Sequence, residues 1–322
     1  MSDLVVELDY VVAGDREEFR HAVLAGLARS PRAIPARFLY DRQGSALFDE
    51  ICELPEYYVT RTETGILQAN AADIARLAGP DCALIEFGSG SSTKSRLLLD
   101  AMADLAVYAP IDISRAHLDI SASRLREDYP GLRIDPVCAD FMAISVLPSN
   151  VGSARRRVGF FPGSTIGNLE PWEATAFLRR TRRLVGDDGA MIIGVDLKKD
   201  HRLLHEAYND TAGVTAAFTL NLLQRMNREL DGNFNLSAFQ HEAFYNADHG
   251  RIEIYFRSLR DQLVTVAGRT FALSGGERVH TEYSYKYDPA QFAATAADAG
   301  FRLAHIWTDE ADLFAVTWLV AS

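Results

Sequence analysis

The sequence predicts an α/β protein, built from a doubly wound parallel sheet with an inserted second α+β domain. Between residues 83 and 197, five short apolar runs alternate with segments of helical period, which is typical of a parallel sheet covered by helices. After residue 197 a helical stretch to about residue 230 precedes segments of alternating polarity, which indicate an antiparallel sheet. The last residues return to a helix and two apolar strands. The segment before them is therefore an insertion in the core.

The core elements follow one another in a regular βα order. Strands are predicted at 83–87, 107–113, 132–138, 158–161 and 191–197. Amphipathic helices are predicted between them at 95–105, 115–128 and 172–185. Pro130 and Gly131 end the second of these helices, because neither residue continues a helix well. A helix at 289–301 and paired strands at 303–309 and 313–321 are expected to close the core.

The flanking segments define the second domain. Residues 1–75 are helical and loop-rich, with a helical run from about Glu63. The antiparallel strands are predicted at 251–259, 262–268 and 279–287. We therefore assign residues 61–198 and 286–322 to the core, and residues 1–60 and 199–285 to a second domain over the carboxyl edge of the sheet.

The charge balance argues against a nucleic-acid-binding function. The 322 residues carry 33 Lys and Arg against 44 Asp and Glu, a formal net charge of −11, whereas phosphate binding needs clustered cations. The basic clusters at 155–157 and 179–183 are too short to reverse this. No run of 18 apolar residues indicates a membrane helix, and the acidic N-terminus is unlike a signal peptide. The three cysteines are odd in number and lack ligand spacing, so we expect neither disulfides nor a zinc site, and a cytoplasmic location. We also expect a monomer.

A glycine turn leaves the first core strand and leads into the first core helix. Its sequence, EFGSGSSTK, runs from Glu86 to Lys94. Glycines allow a ligand to approach the backbone, and a helix N-terminus offers unpaired N–H donors, so the turn predicts a nucleotide-type cofactor. Thr93 stands where a third glycine would complete the dinucleotide pattern, which disfavours a dehydrogenase. A tight turn without a ligand is the alternative.

Acidic residues also follow the second and third strands. Asp112 stands where doubly wound folds place an acid that binds ribose hydroxyls; the alternative is an N-cap, but Ser114 can cap that helix instead. Asp140 and Phe141 follow the third strand, where a carboxylate and a ring can contact adenine. This arrangement resembles the adenosine site of class I S-adenosylmethionine-dependent methyltransferases more than that of dehydrogenases.

A polar loop with two glycines follows the fourth strand. Its sequence is PGSTIGNLEP, at residues 162–171. Methyltransferases hold the acceptor at this edge, so the loop can supply amide contacts near the transferred methyl. The alternative is a solvated loop in which Asn168 caps the next helix.

Longer strings make the resemblance specific. They are LPEYYVTRTE, the glycine turn, GSTIGNLEP, AYNDTAGVTAAF at 207–218 and TEYSYKY at 281–287. Together they resemble the histidine-specific N-α-methyltransferases of ergothioneine biosynthesis, which convert histidine to its trimethyl betaine, hercynine. The similarity runs from about Leu24 to the C-terminus. It implies a Rossmann-like class I methyltransferase core with an inserted substrate-binding domain, S-adenosylmethionine as cofactor and a small-molecule substrate.

The resemblance also implies roles for individual residues. The residues that would line the cofactor site are Gly88, Lys94, Asp112, Asp140 and Phe141. The residues that would line the amino-acid site are Tyr57, Gly163, Thr165, Asn168, Tyr208, Glu282 and Ser284. Within it, Asn168 and Tyr208 would address the α-amino and carboxylate end, and Gly163 and Thr165 would stand beside the amine. Tyr57, Glu282 and Ser284 would surround the imidazole.

The candidate catalytic residues are Tyr40 and Asn168. Tyr40 or Asn168 would hold the water that takes the amine proton, and the rings of Tyr40, Phe48 and Tyr57 would stabilise the cationic product. His201 and His205 stand four apart on a predicted helix but lack a third ligand, and methyl transfer to an amine needs no metal.

The strand at 279–287 tests the resemblance from its own pattern. Glu282 and Ser284 are two residues apart and therefore project from the same face. From its pattern alone, this polar face would be assigned to solvent. The family resemblance implies instead that the two side chains are hydrogen-bond partners of the two ring nitrogens of imidazole. Ile254 stands where relatives often carry methionine, which can reshape the pocket wall.

Two other functions stay open from the sequence. One keeps the fold and chemistry but uses another acceptor, such as a tryptophan derivative. Glu282 and Ser284 argue against it, because an indole has one N–H donor and no ring acceptor. The other is a catalytically silent cofactor-binding regulator, which predicts gaps in the cofactor or substrate loops, and no such gap is visible.

Overall fold

The computed structural model describes residues 13–90 and 93–322. Within these ranges the α-helices are α1 (Ala13–Ala28), α2 (Arg42–Glu53), α3 (Tyr58–Ala78), α4 (Thr93–Ala101), α5 (Arg115–Asp128), α6 (Ser149–Gly152), α7 (Pro171–Val185), α8 (His201–Tyr208), α9 (Val214–Glu229) and α10 (Pro289–Asp298). Short 3₁₀ turns lie at Ala36–Leu39, Thr165–Asn168 and Leu236–Ala238.

The β-strands of the same ranges alternate with these helices in the first half of the chain and follow one another in the second half. They are β1 (Arg32–Ala33), β2 (Cys82–Phe87), β3 (Val107–Asp112), β4 (Val137–Cys138), β5 (Arg156–Phe161), β6 (Ala190–Asp196), β7 (Phe239–Asn246), β8 (Arg251–Ser258), β9 (Gln262–Val266), β10 (Arg269–Leu273), β11 (Arg278–Tyr285), β12 (Phe301–Thr308) and β13 (Phe314–Ala321).

The described chain divides into two compact units. The core unit comprises Pro55–Leu204, Tyr245–Ile252 and Tyr283–Ser322. The second unit comprises the described part of Met1–Leu54, His205–Phe244 and Glu253–Glu282. The predicted boundaries at 60/61 and 198/199 each lie six residues from the observed ones, and 245–252 belongs to the core unit. Residues 1–12 of the predicted second domain lie outside the described residues.

The core unit contains a seven-stranded sheet in the order β12-β13-β6-β5-β2-β3-β4. The pairs β2/β3, β2/β5, β3/β4 and β5/β6 are parallel, while β13 is antiparallel to β6 and to β12. The predicted α/β fold class and its two closing strands are thereby confirmed. Because β2 lies between β3 and β5, the strand order reverses beside it, and doubly wound folds bind ligands at this point.

The third core strand is the main correction within the sheet. The sequence predicts a strand over 132–138, but β4 contains only Val137 and Cys138, preceded by an isolated bridge between Tyr108 and Ile134. Pro136 separates the two pairings, because proline has no N–H to donate to a ladder.

Helix α7 is confirmed one residue longer than predicted, beginning at Pro171. Its Phe177 ring packs against Phe87 and Phe161, with ring centroids 5.4 and 4.5 Å away. These three rings are buried, so the helix is fixed to the sheet directly beneath the carboxyl ends of β2 and β5. Helix α7 thereby stabilises the carboxyl edge of the sheet, which the predicted site loops follow.

The second unit contains a sheet in the order β1-β11-β8-β7 and a hairpin of β9 and β10. Strands β7, β8 and β11 pass from one unit to the other along the chain. Strands β7 and β10 were not predicted from the sequence. Helix α2 packs against α9. Asp41 caps α2 by accepting the Gly44 N–H and also bonds Asn221 and Arg228 of α9, which fixes the loop that carries Tyr40.

No helix of the described ranges is both long enough and apolar enough to cross a membrane.

Candidate active site

The glycine turn after β2 presents open backbone. Gly88 and Gly90 adopt positive φ angles of 77° and 43°, which glycine accepts without strain. The N–H groups of Gly88 and Ser89 both donate to the Ile111 carbonyl, at 2.9 and 3.3 Å. Both glycines are exposed, and a Cβ built on Gly88 meets nothing nearer than the Phe141 ring at 4.0 Å. The turn therefore leaves room for a ligand against its backbone; Ser91 and Ser92 of the motif lie outside the described residues.

Glu86 lies beneath this turn as the penultimate residue of β2. It is 2% exposed, and its carboxylate accepts hydrogen bonds from Ser95 at 2.6 Å and from the Tyr108 hydroxyl. Burial raises the pKa of Glu86 to about 7, although both hydrogen bonds act in the opposite direction. A carboxyl group that titrates near neutral pH is thus built into the base of the turn.

The two predicted acids of the cofactor site are anchored by their own backbone. Asp112 Oδ1 accepts the N–H of Ser114 at 2.9 Å, and Asp140 Oδ1 accepts that of Met142 at 2.7 Å. The expectation that Ser114 would leave Asp112 disengaged is therefore wrong, because the short Asp side chain forms an Asx turn. The Ser114 carbonyl does accept the Leu118 N–H at 3.0 Å and so begins α5. Each Asp is held at the carboxyl edge of the sheet.

Phe141 packs edge-on against Phe161 and Phe177, with centroids 5.4 and 5.9 Å away. Its ring also lies against the open side of Gly88. Gly88 and Phe141, predicted from separate motifs, thus meet at the end of β2.

Lys94, in the first turn of α4, forms an ion pair with Glu63 of α3. The Glu63 carboxylate is fully buried and also accepts the Gly163 N–H, at 3.0 Å to Oε1 and 2.8 Å to Oε2. Helix α4 and the loop at 162–171 therefore share one carboxylate, that of Glu63, which was not among the predicted site residues.

The loop at 162–171, which follows β5, is tightly bent. Gly163 and Ser164 both have positive φ, 78° and 54°, and the buried Ser164 hydroxyl accepts the Asp196 N–H at 3.0 Å. The Thr165 hydroxyl donates to the Pro162 carbonyl at 2.8 Å, so it contributes to the turn itself. Half-buried Asn168 ends the 3₁₀ turn.

The loop is packed against the end of β11. A Cβ on Gly167 would lie 2.8 Å from the Tyr285 carbonyl oxygen, so only glycine fits there. The Tyr285 hydroxyl donates to Glu170 at 2.6 Å, and the Tyr287 hydroxyl donates to the Ile166 carbonyl at 3.3 Å. The structure therefore brings the predicted residues Gly163, Thr165 and Asn168 close to the strand that carries Ser284.

Glu282 and Ser284 are 8% and 6% exposed. The sequence of β11 taken alone would indicate that its polar face is exposed to solvent. The structure shows instead that this face is buried at both residues. Lys286, with a fully buried side chain, donates to the Ser284 hydroxyl at 2.8 Å and pairs with Asp196 at 2.6 Å.

Asp196 ends β6 and is surrounded by donors. The Tyr58 hydroxyl donates to it at 2.8 Å, and Lys199 forms a second ion pair with it. Burial opposes ionisation of Asp196, but the ammonium groups of Lys286 and Lys199 outweigh it and lower its pKa. Burial in turn lowers the pKa of Lys199 to about 8. Tyr57, which precedes α3, is itself buried.

Three predicted residues lie in the second unit. Tyr40 is 39% exposed as a residue, but desolvation of its hydroxyl raises its pKa well above the ordinary value, followed by the nearby Glu282 carboxylate and smaller contributions from Cys52 and Tyr208. The structure thus brings Tyr40, Tyr208 and Glu282 together. The Tyr40 ring also contacts those of Phe48 and Phe218 edge-on, at 5.5 and 5.3 Å. His241 fixes the Tyr208 backbone through a 2.9 Å contact with its carbonyl.

The sequence did not identify Glu63, Asp196 or Lys286. A signal exists for Glu63: it lies four residues after Val59 and three before Ile66, both buried, so it occupies the apolar face of α3. Lys286 shares the polar face of the predicted strand with Glu282 and Ser284. Asp196 carries no such mark, because it meets Lys286 only when the ends of β6 and β11 come together. No group of His, Cys, Asp and Glu arranged to hold a metal occurs in the described part of the chain.

Comparison with known protein families matches residues 19–321 to the family described as histidine-specific methyltransferase, SAM-dependent. The chain belongs to this family. The resemblance stated from the sequence motifs is thereby confirmed.

Individual members of the histidine-specific methyltransferases are close in sequence. The histidine N-alpha-methyltransferase of Mycolicibacterium smegmatis is 42% identical over 309 residues, covering 94% of this chain and 95% of that protein. The one of Mycobacterium tuberculosis is 39% identical over 304 residues, covering 92% and 93%. A solved structure described as a possible exported protein from Bordetella parapertussis has a TM-score of 0.50 at 16% identity, covering 96% of this chain and 88% of that one. This last likeness shows the fold alone.

Proposed function

We propose that this histidine-specific methyltransferase transfers three methyl groups from S-adenosylmethionine to the α-amine of L-histidine, forming hercynine for ergothioneine biosynthesis. Family membership over residues 19–321 and the two named histidine N-alpha-methyltransferases support this reaction. The structural observation that carries it is the burial of Glu282 and Ser284 on one face of β11. An imidazole ring has two nitrogens, each of which needs a partner when buried.

The cofactor site is proposed at the carboxyl ends of β2, β3 and β4. The exposed backbone of Gly88 and the ring of Phe141 can hold an adenosine, and the anchored Asp112 carboxylate can accept ribose hydroxyls. Asp140 and Lys94 complete this proposed set. These groups fit the cofactor because the turn has open space where a side chain would stand. When bound, S-adenosylmethionine supplies an electrophilic methyl on a sulfonium.

Chemistry at the acceptor depends on a neutral amine. α-Amines titrate near pH 8 or above, so at neutral pH the site must favour the free base or await it. Tyr40 stays protonated because its pKa is raised, and it therefore acts as a hydrogen-bond partner and not as a base. Asn168, Gly163 and Thr165 are proposed to orient the amine and the water that takes its proton. Positioning of the nucleophile supplies most of the acceleration.

The trimethylated product is a fixed cation. In the second unit, the rings of Tyr40, Phe48 and Phe218 form an edge-packed aromatic cluster able to attract such a cation. Tyr57 is proposed to act similarly, and Tyr208 to bind the amino-acid end of the substrate.

The purified protein should be incubated with methyl-labelled S-adenosylmethionine and each of the twenty amino acids. We expect label in histidine alone, with mono-, di- and trimethylated products resolved by mass. Monomethyl- and dimethylhistidine should also be accepted, because only the amine changes between rounds. Faster labelling of any other amino acid would contradict the proposed acceptor, and no labelling with cofactor bound would favour a silent binding protein.

A further inference from the structure

Glu63 has no role in the reaction as proposed, yet its surroundings are unusual. Its carboxylate is fully buried, forms an ion pair with Lys94 and accepts the Gly163 N–H at both oxygens. Burying an ionised carboxylate costs several kcal/mol unless partners compensate it. Its presence inside the core unit therefore calls for a specific reason.

Strand β6 has a glycine at the position where this carboxylate packs against it. Gly194 interrupts the buried run AMIIGVD, and a Cβ at this position would lie 2.0 Å from Glu63 Oε1 and 2.9 Å from its Cδ. Glycine in a strand interior weakens the strand and often marks close approach of another group. Two separate parts of the chain are thus matched to the same carboxyl group.

The position of Glu63 links the two halves of the proposed reaction. Lys94 lies in the first turn of α4, which follows β2, and Gly163 begins the loop that follows β5. Strands β2 and β5 are parallel neighbours at the point where the strand order reverses. Glu63 bridges these two segments, and a Cβ on Gly163 would lie 3.8 Å from the Lys94 ammonium.

We propose that Glu63 is a positioning residue of methyl transfer. Through Gly163, it fixes the loop at 162–171, proposed to hold the acceptor, relative to Lys94, proposed to bind the cofactor. This rests on the proposed function, in which Lys94 contacts the cofactor and Gly163 stands beside the amine. In-line transfer requires nucleophile and methyl at a defined separation, and a misplacement of about 1 Å can cost about 100-fold in rate. In this proposal Glu63 fixes this separation through Gly163 and Lys94, without itself contacting the amine or the cofactor.

The first test needs neither ligand. Amide hydrogen exchange of the ligand-free protein should be measured on peptides that contain Gly163. Glu63→Ala removes the acceptor of this N–H, and we expect exchange there to be about tenfold or more faster. Glu63→Gln keeps a carbonyl acceptor and should exchange like the wild type. The matched control is Asp128→Asn, which breaks a surface ion pair. This pair joins Asp128 to Arg96, and Arg96 lies in α4, the helix that also carries Lys94.

The second test measures the coupling to Lys94. Glu63→Gln and Lys94→Met should each lower kcat about tenfold or more, while the double variant falls no further than the worse single variant. The double variant removes both charges of the pair, so it leaves no lone unpaired charge, which would be destabilising. S-adenosylhomocysteine affinity should be nearly unchanged by Glu63→Gln, since Glu63 is not among the residues proposed to bind the cofactor.

Three results would overturn the positioning role: unchanged exchange at Gly163 in a folded Glu63→Ala variant, a Glu63→Gln kcat near wild type, or effects of the two substitutions that multiply. Failure of the proposed function is a different result. It appears in the wild type as absence of histidine methylation, and the exchange comparison remains valid in that case. If the wild type methylates another acceptor, the same kcat comparison is made with that acceptor.

Discussion

Asp112 is the residue on which the predicted ribose contact depends. Its Oδ1 is held by the Ser114 N–H, so the carboxylate has a defined orientation at the end of β3. Asp112→Ala should weaken S-adenosylhomocysteine binding by about 1–3 kcal/mol, the usual loss when a charged hydrogen-bond partner is removed. Titration calorimetry measures this directly. Asp112→Asn, which retains the Asx turn, is the control; equal affinity in the Ala variant and the wild type would remove Asp112 from the site.

Glu86 carries a second prediction at the residue scale. Its pKa is about 7 in the folded protein against about 4.5 in the unfolded chain, so the folded state binds more protons between these values. The free energy of unfolding should therefore fall as the pH rises from about 4.5 to about 7, by about 3 kcal/mol from this group. Glu86→Gln keeps an oxygen acceptor for Ser95 and Tyr108 and should remove this part of the pH dependence.

Denaturant unfolding at several pH values measures the effect. The wild-type and Glu86→Gln proteins should differ most above pH 7 and least near pH 4.5. Parallel profiles over this range would show that Glu86 titrates normally.

Strand β11 is an element whose alternating pattern does not by itself show which face is buried. Its alternation is visible in the sequence, but the burial of Glu282 and Ser284 is visible only in the structure. The double substitution Glu282→Ala and Ser284→Ala should erode the preference for histidine over tryptophan, because a site that hydrogen-bonds a ring rejects analogues lacking the same groups. Competition assays with both amino acids measure the ratio of kcat/KM values.

Cofactor affinity should stay nearly constant in this double variant, which separates acceptor recognition from misfolding. Ser274→Ala, in the segment just before β11, is a suitable surface control. An unchanged histidine-to-tryptophan ratio would withdraw the imidazole assignment of this strand.

The limits of prediction from the sequence are also clearest for elements. Helix α5 was predicted at its observed bounds, because a serine begins it and Pro130-Gly131 follow it. Strand β7 was missed, since its buried positions do not alternate regularly along FQHEAFYN. For the site, the glycine turn and the loop at 162–171 carry local signals. Glu63 is marked only by its place on the apolar face of α3, because its partners stand 31 and 100 residues away.

The behaviour of the whole chain can be tested through ligand linkage. A ligand that binds only the folded protein stabilises it by about 2.7 kcal/mol at 100 times its dissociation constant. Saturating S-adenosylhomocysteine should therefore raise the midpoint of thermal unfolding, and the rise should shrink in Asp112→Ala at the same ligand concentration. Scanning fluorimetry checks this, with adenine as a weak-ligand control. An equal rise in both proteins would place the ligand away from β3.

The brevity of β4 has a consequence for the molecule in concentrated solution. This strand ends the sheet, opposite β12, yet it offers only the backbone of Val137 and Cys138, with Pro136 immediately before it. A long, flat outer strand invites pairing with another chain, and natural proteins avoid this with short strands and proline. The interruption that made the third strand hard to predict therefore protects this border against edge-to-edge aggregation.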